Sequence, residues 1–291
     1  MNITSISYTP NRSTKKSKLR GGGIVTYNRA LSVMGVKLID RNGSEPTAVM
    51  PSTEKEEPCV ACNEPDPITG KFCIHCGIEK PEREIKLGKG KNEDYVSFAE
   101  LVSRDARREL EDKLRLVDKE TERTSAPTYA VWNGNGTPIL SDQPFTDPPE
   151  LTSCTLSAFR IERVVGQPDD RGWLPRAIAH LRFGETLRLY DMRLEQGASR
   201  WKLKMPQKPR KSPCYSCKAS VPREAEFCGC CGKTLPPKNE ISREDAFHPI
   251  QNSVRSRLTD LLLNEFMGMG PETTCIEKQV SYEVGKGAAG T

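Results

Sequence analysis

Polar and apolar residues alternate over several short stretches of the chain, and the stretches come in two sets. In 177–183, Ala179, Leu181 and Phe183 fall on one side of an extended backbone and His180 and Arg182 on the other, the period of two expected of a half-buried strand. Residues 187–194 continue the pattern, and 23–27 with 31–39 repeat it near the N-terminus. A shorter strand precedes each pair, at 3–8 and at 156–161. A fourth strand runs into Met50-Pro51 and into Met205-Pro206, where proline has no N–H for a ladder and should end it. The period then changes to that of a helix. Ala106, Leu110, Leu114 and Val117 form one stripe after Ser103. Val254, Leu258, Leu261 and Leu262 form the other within 253–266, behind the start signals Pro249 and Asn252 or Ser253. Four antiparallel strands with a helix on one face make an α+β unit, and the chain writes that unit twice.

The duplication is sharpest in the cysteines. Cys59, Cys62, Cys73 and Cys76 recur 155 positions later as Cys214, Cys217, Cys228 and Cys231, and Met50-Pro51 recurs at the same offset. Upstream the offset is 156: Val36-Lys37-Leu38 matches Met192-Arg193-Leu194, and Arg20 matches Arg176. The slip falls in the turn 40–46, where an insertion is tolerated.

Each set is two CxxC pairs separated by ten residues, which puts four thiolates on two facing turns. That donor set suits a tetrahedral Zn²⁺ with bonds of ~2.3 Å, and four protein ligands leave no open position, so two structural zinc ions are expected. The competing readings are two disulfides per ribbon and iron. Gly77 and Gly232 follow the last ligands, where backbone near a metal often needs φ > 0, and Phe72 and Phe227 are placed to cover the sites. His75 and Cys230 sit between ligands and are alternative donors, but the repeat favours Cys76 and Cys231. Cys154 and Cys275 lie outside the pattern as ordinary thiols. Because each site closes its own loop, replacing Cys73 by Ser should unfold the first ribbon alone.

Composition adds limits. Apolar residues are 35% and aromatic residues 6% of the 291, with 22 Gly and 22 Pro, which describes a loop-rich protein with small cores that a metal helps to hold. No apolar run approaches the ~20 residues of a membrane helix, and the N-terminus lacks a secretory h-region. Eleven cysteines without such a signal point to a reducing, cytoplasmic setting. The expected organisation is a first copy at 1–117 with its ribbon at 57–80, a Pro-rich linker at 118–152, a second copy at 153–268 with its ribbon at 212–235, and a disordered tail at 269–291. No catalytic constellation is apparent: His75, His180 and His248 have no nucleophile or carboxylate in a recognisable motif, and Gly21-Gly22-Gly23 lacks P-loop spacing. An enzyme is not expected.

The net charge of +5 is uneven. Residues 1–150 hold 22 Lys+Arg and 23 Asp+Glu, for −1, and 151–291 hold 22 and 16, for +6. The densest basic stretch, 200–211, has six basic residues and no acid, among them Lys202, Lys204, Lys208, Arg210 and Lys211. Such residues can contact phosphates in a salt-sensitive, sequence-independent way, although a charge run is more often a solvated strand face. The loop with Arg12, Lys15, Lys16, Lys18 and Arg20 is a second basic segment.

The second copy resembles the sporulation stage V protein G (SpoVG) family. The likeness lies in Arg176-Ala-Ile-Ala179, the strand to Asp191-Met-Arg-Leu194, Met205-Pro206, Ala246-Phe-His-Pro-Ile250, the helix start at Arg255, and Leu263-Asn-Glu-Phe266. These match the family's RAIA, DIRV-type strand, AMP, HPI, STRGK-like and LNEY blocks over most of 154–266. The first copy is weaker, keeping Val36-Lys-Leu-Ile-Asp40 and Val49-Met-Pro51, with Glu100-Leu101-Val102 in the HPI position. The resemblance implies a small α+β protein, usually a homodimer, that binds DNA or RNA as a bacterial regulator. Two departures stand out. Two copies are fused, so one chain is expected to pair internally, and each copy carries a ribbon that short family members lack. Arg255 and Arg257 match the helix start that the family associates with nucleic acid. Arg107 matches Arg255 but Glu109 stands opposite Arg257, so the first copy is expected to contribute less. The alternative is a protein–protein adaptor whose ribbons grip a partner. Neither reading involves a membrane or a small-molecule substrate.

Overall fold

The computed structural model describes residues 2–11, 18–41, 44–81, 95–124, 126–132, 137–145, 154–236, 243–250 and 252–284. The chain divides into two compact units: Met1–Pro51 with Phe98–Pro206 and Ala246–Thr291, and Ser52–Ser97 with Gln207–Asp245. The first unit is α+β, with two antiparallel sheets and two helices. The second holds both four-cysteine segments. Among the described residues no helix is long and apolar enough to cross a membrane.

In the first sheet, strand Ile3–Pro10 lies between Leu19–Tyr27 and Thr128–Val131, with Ile139–Ser141 outside the latter and Leu31–Arg41 beyond Leu19–Tyr27. Leu19–Tyr27 begins earlier than the alternation predicts because its glycine run belongs to the ladder. A Cβ on Gly23 would stand 1.8 Å from the Ser7 carbonyl oxygen, and one on Gly21 would stand 2.4 Å from the Tyr8 ring, so only glycine lets these strands approach so closely. In the second sheet the order is Trp201–Lys204, Leu187–Gln196, Leu174–Phe183, Cys154–Arg163 and Cys275–Val284. Ala177, Ala179, Leu181 and Phe183 are buried and the residues between them half-buried, as their alternation requires.

Each half also lends a short strand to the sheet of the other. Ala99–Leu101 pairs with Leu187–Leu189, and Phe247–Pro249 pairs with Leu31–Val33. The segments enter by matching necks: the Phe98 amide donates to the Pro51 carbonyl at 3.0 Å, and the Ala246 amide to the Pro206 carbonyl at 2.8 Å. Phe98, Ala99, Leu101, Ala246 and Phe247 join one hydrophobic cluster with residues of both sheets and both helices. Sharing a core in this way leaves neither half able to bury its own apolar face alone.

The helices follow the predicted stripes but run further. Helix α1 is Arg104–Thr124, capped by the Ser103 hydroxyl, which accepts the Ala106 amide at 3.1 Å. It continues into the expected linker, as far as Thr124, and buries Asp118 and Thr121. Helix α2 is Asn252–Met267 and buries Val254, Leu258, Leu262 and Phe266, with Leu261 half-buried. Over its described residues the expected linker is thus the end of a helix followed by two strands of the first sheet. The expected tail is likewise not free over 275–284, where Cys275–Val284 pairs with Cys154–Arg163 along the sheet edge. The rest of the tail, 285–291, lies outside the described residues, as do Arg12, Lys15 and Lys16.

A buried polar network fastens the end of α1 to the first sheet. Asp118, 5% exposed, accepts the Tyr8 hydroxyl at 2.7 Å and the Arg20 Nε–H at 2.6 Å. Arg20 also pairs with Glu122 and lies 3.7 Å from Asp40. Burial, then the bond to Asp118, pushes the Tyr8 phenol well above its ordinary range, so the ring stays neutral and donates.

Candidate metal centres

The second unit is assembled from four short antiparallel pairs. Glu56–Pro58 with Pro65–Pro67, and Lys211–Pro213 with Ser220–Pro222, carry the first CxxC of each cluster on their connecting turns. Local sequence explains the turn geometry. The residue after each second cysteine, Asn63, Gly77, Lys218 or Gly232, has φ between 60° and 74°. In that left-handed conformation its amide reaches back to the carbonyl of the first cysteine of its pair, at 2.8–3.0 Å. Both sulfurs of the pair then point to the same side. Backbone amides also point at sulfur: Ala61 N–H to Cys59 at 3.5 Å, His75 N–H to Cys73 at 3.4 Å, and Ser216 N–H to Cys214 at 3.4 Å.

The two quartets converge as the spacing predicts. Within Cys59, Cys62, Cys73 and Cys76, and within Cys214, Cys217, Cys228 and Cys231, all Sγ atoms lie within 4.8 Å of one another. A tetrahedral ion with ~2.3 Å bonds needs sulfurs about 3.8 Å apart. Cys59–Cys76 and Cys62–Cys73 measure 3.8 and 3.9 Å; Cys214–Cys231 and Cys217–Cys228 measure 4.0 and 3.6 Å. A disulfide would require about 2.05 Å. The donor set therefore fits a closed four-thiolate metal site. His75 is outside it, with Nε2 3.0 Å from the Pro65 carbonyl oxygen, and Cys230 is exposed and outside the second quartet.

Backbone N–H groups of Cys62 and Ala61 hold the Cys59 thiol down to about 6, and those of Cys217 and Ser216 do the same for Cys214. Burial pushes Cys73 up to about 12 and raises Cys228. A metal ion must displace the protons from the raised thiols, so metal affinity weakens as pH falls.

The ribbons are not independent. The Phe72 amide donates to the Gly229 carbonyl at 2.9 Å, and the Glu226 and Phe227 amides both donate to the Ile74 carbonyl at 2.9 Å. Each phenylalanine covers the other ribbon rather than its own site: a Cβ on Gly77 would meet the Phe227 ring at 2.7 Å, and one on Gly232 the Phe72 ring at 3.0 Å. Ile74, beside a ligand of the first centre, is packed in one cluster with Cys214, Val221, Ala225, Cys228 and Leu235 of the second.

The basic residues singled out from the sequence fare differently. Lys202 and Lys204 share an outer strand face, but both turn to Glu195, a carboxylate 3% exposed, at 3.1 and 3.6 Å. The contact at 3.1 Å lacks hydrogen-bond geometry, so this pairing is electrostatic. Lys202 also sits 3.7 Å from the Trp173 ring centroid. In the other unit, Lys208 and Arg210 share Glu244 at 3.1 and 3.3 Å, and Lys211 pairs with Glu54 at 2.9 Å. Much of the charge in 200–211 is therefore answered by acids from elsewhere in the chain. Lys202→Ala with Lys204→Ala should cost about 1–2 kcal/mol in a denaturant titration, because a buried carboxylate loses both cations while the lysines themselves are partly solvated.

Arg255 is exposed and Arg257 half-buried on the first turns of α2, and neither has an ion pair among the described residues. On the matching face of α1, where Arg107 was set aside because of Glu109, two further arginines accompany it. Arg104, Arg107 and Arg108 are exposed there without an ion pair among the described residues, while Glu109 is engaged by Lys113 at 2.8 Å. The signal was the cluster of three arginines in the first turns after Ser103; the neighbouring Glu109 obscured it. No family model matches the chain, and no curated protein or solved structure matches it either.

Proposed function

We propose that this is a non-enzymatic, zinc-stabilised nucleic-acid-binding protein of the SpoVG type, cytoplasmic and regulatory, in which one chain takes the place of a dimer. The reciprocal strand exchange carries the reading: the three-residue strand ahead of each helix completes the sheet of the other half, as expected of two like units meant to pair. On this reading the protein is monomeric in light scattering. Zinc as the metal is supported by sulfur spacings of 3.6–4.0 Å in all-thiolate quartets. Elemental analysis of the purified protein should give two zinc per chain, one for each quartet; one or none, or iron in its place, sinks that part.

Nucleic acid, DNA or RNA, is supported by the arginines at the helix starts, which combine guanidinium groups without an ion pair among the described residues with the N–H groups of a helix N-terminus. The test is affinity for generic duplex and single-stranded nucleic acid over a range of salt. Arg255→Ala should weaken binding to all sequences and lower the slope of log affinity against log salt by about 0.7–0.9. The expectation that Arg107 matters little loses its ground, because that residue is exposed and without an ion pair among the described residues, as Arg255 is. Arg107→Ala should therefore flatten the slope by a similar amount. No measurable binding by the unmutated protein would hand the case to the adaptor reading. A specific observation favours that second reading: Val60 and Tyr215, at corresponding knuckle positions, are 85% and 58% exposed.

A further inference from the structure

The duplication allows one half to be compared with the other. Both place an arginine in a bulge at the same point of the second strand: Arg20 between Leu19 and Gly21, and Arg176 between Pro175 and Ala177. The backbone around them matches. The Arg20 carbonyl accepts the Asn11 amide at 2.7 Å, and the Arg176 carbonyl accepts the Val164 amide at 3.0 Å.

Their surroundings do not match. Arg20 is ringed by carboxylates, Asp118 at 2.6 Å, Asp40 at 3.7 Å, and Glu122. The offset of 148 that aligns Leu110 with Leu258 and Leu114 with Leu262 puts Phe266 in place of Asp118 and Gly270 in place of Glu122, and the strand offset of 156 puts Gln196 in place of Asp40. All three acids are gone. The tie to the helix passes to Arg163, whose guanidinium stacks 4.7 Å from the Phe266 ring centroid and donates to the Met269 and Gly270 carbonyls at 3.5 Å. Arg176 keeps the bulge and the half-buried position but has no ion pair or side-chain hydrogen bond among the described residues. Beside it is an open depression of about 450 Å³, solvent included, lined by the two arginines with Val164, Val165, Gly166 and Pro175.

We propose that this depression binds a small organic carboxylate, held by Arg176 as Arg20 holds Asp118. A guanidinium fork matches a carboxylate in two parallel N–H···O bonds, and Arg163 adds a second positive charge at the rim. Val165, fully exposed, and the Pro175 ring offer apolar contact to a short carbon chain. The inference does not rest on the nucleic-acid reading, since the salt titration above leaves it untouched.

The test is titration of the full chain with succinate at constant ionic strength, followed by calorimetry or by amide chemical shifts, with inorganic phosphate and chloride as comparisons. Succinate should saturate and shift the amides of 164–176. Arg176→Gln should weaken it at least tenfold with the melting temperature unchanged, and Arg123→Gln, an exposed arginine elsewhere, should not. Undiminished binding in Arg176→Gln overturns the proposal, as does succinate acting no differently from chloride. Phosphate binding in preference to succinate overturns the carboxylate assignment.

Discussion

Replacing Cys73 by Ser is expected to cost the protein both metals. The sequence alone suggests that only the first ribbon suffers, since each quartet closes its own loop. The packing argues otherwise. Ile74, next to the lost ligand, is 7% exposed in a cluster that contains Cys214 and Cys228, and its carbonyl accepts two amides of the second ribbon. Phe72 covers Gly232, one residue past the last ligand of the second quartet. A structural zinc contributes on the order of 10 kcal/mol or more to a domain this small, so losing the first site releases the first ribbon and with it the wall of the second. On the zinc reading proposed above, metal content should fall from two per chain to well under one, and limited proteolysis should open both 52–97 and 207–245. Cys230→Ser is the control, since that thiol is exposed and outside the quartet, and it should keep both metals. One full equivalent retained in Cys73→Ser would mean that the ribbons fold separately.

Asp118→Ala should strongly destabilise the first unit. It strips a buried acceptor from Tyr8 and the most buried carboxylate from Arg20 at once. Removing one member of a buried, hydrogen-bonded pair costs about 3–5 kcal/mol, because the remaining polar groups stay buried without their partners. The low end applies, since Arg20 keeps Glu122 and Asp40. A loss of about 3 kcal/mol in unit one, or a melting temperature lower by roughly 6–12 °C, is the expected reading. Arg176→Gln, the same strand position in the other half, should change stability little, because its side chain has no ion pair or hydrogen bond among the described residues. Equal losses from the two would show that the bulge itself, not the network, carries the stability.

Much of this protein is local, and the local part was legible in the sequence. CxxC spacing makes both sulfurs of a tight turn face one point whatever the rest of the chain does, so the two quartets follow from eight positions. The helical stripes and the alternation through 177–183 are likewise properties of neighbouring residues. The alternation of Ile276, Val280, Tyr282 and Val284 was there as well, but its place near the chain end led to a tail rather than a strand. What the sequence did not reveal depends on distance. Ala99–Leu101 and Phe247–Pro249 are too short to carry a period, and which sheet edge they complete is settled by the core they enter. The charge of 200–211 looked free because Glu195, Glu244 and Glu54, which answer it, are brought there by strand pairing. Ionic contacts and strand partners are long-range, so only the tertiary structure decided which side chains were already spoken for and which, like Arg176 and Arg255, have no ion pair among the described residues.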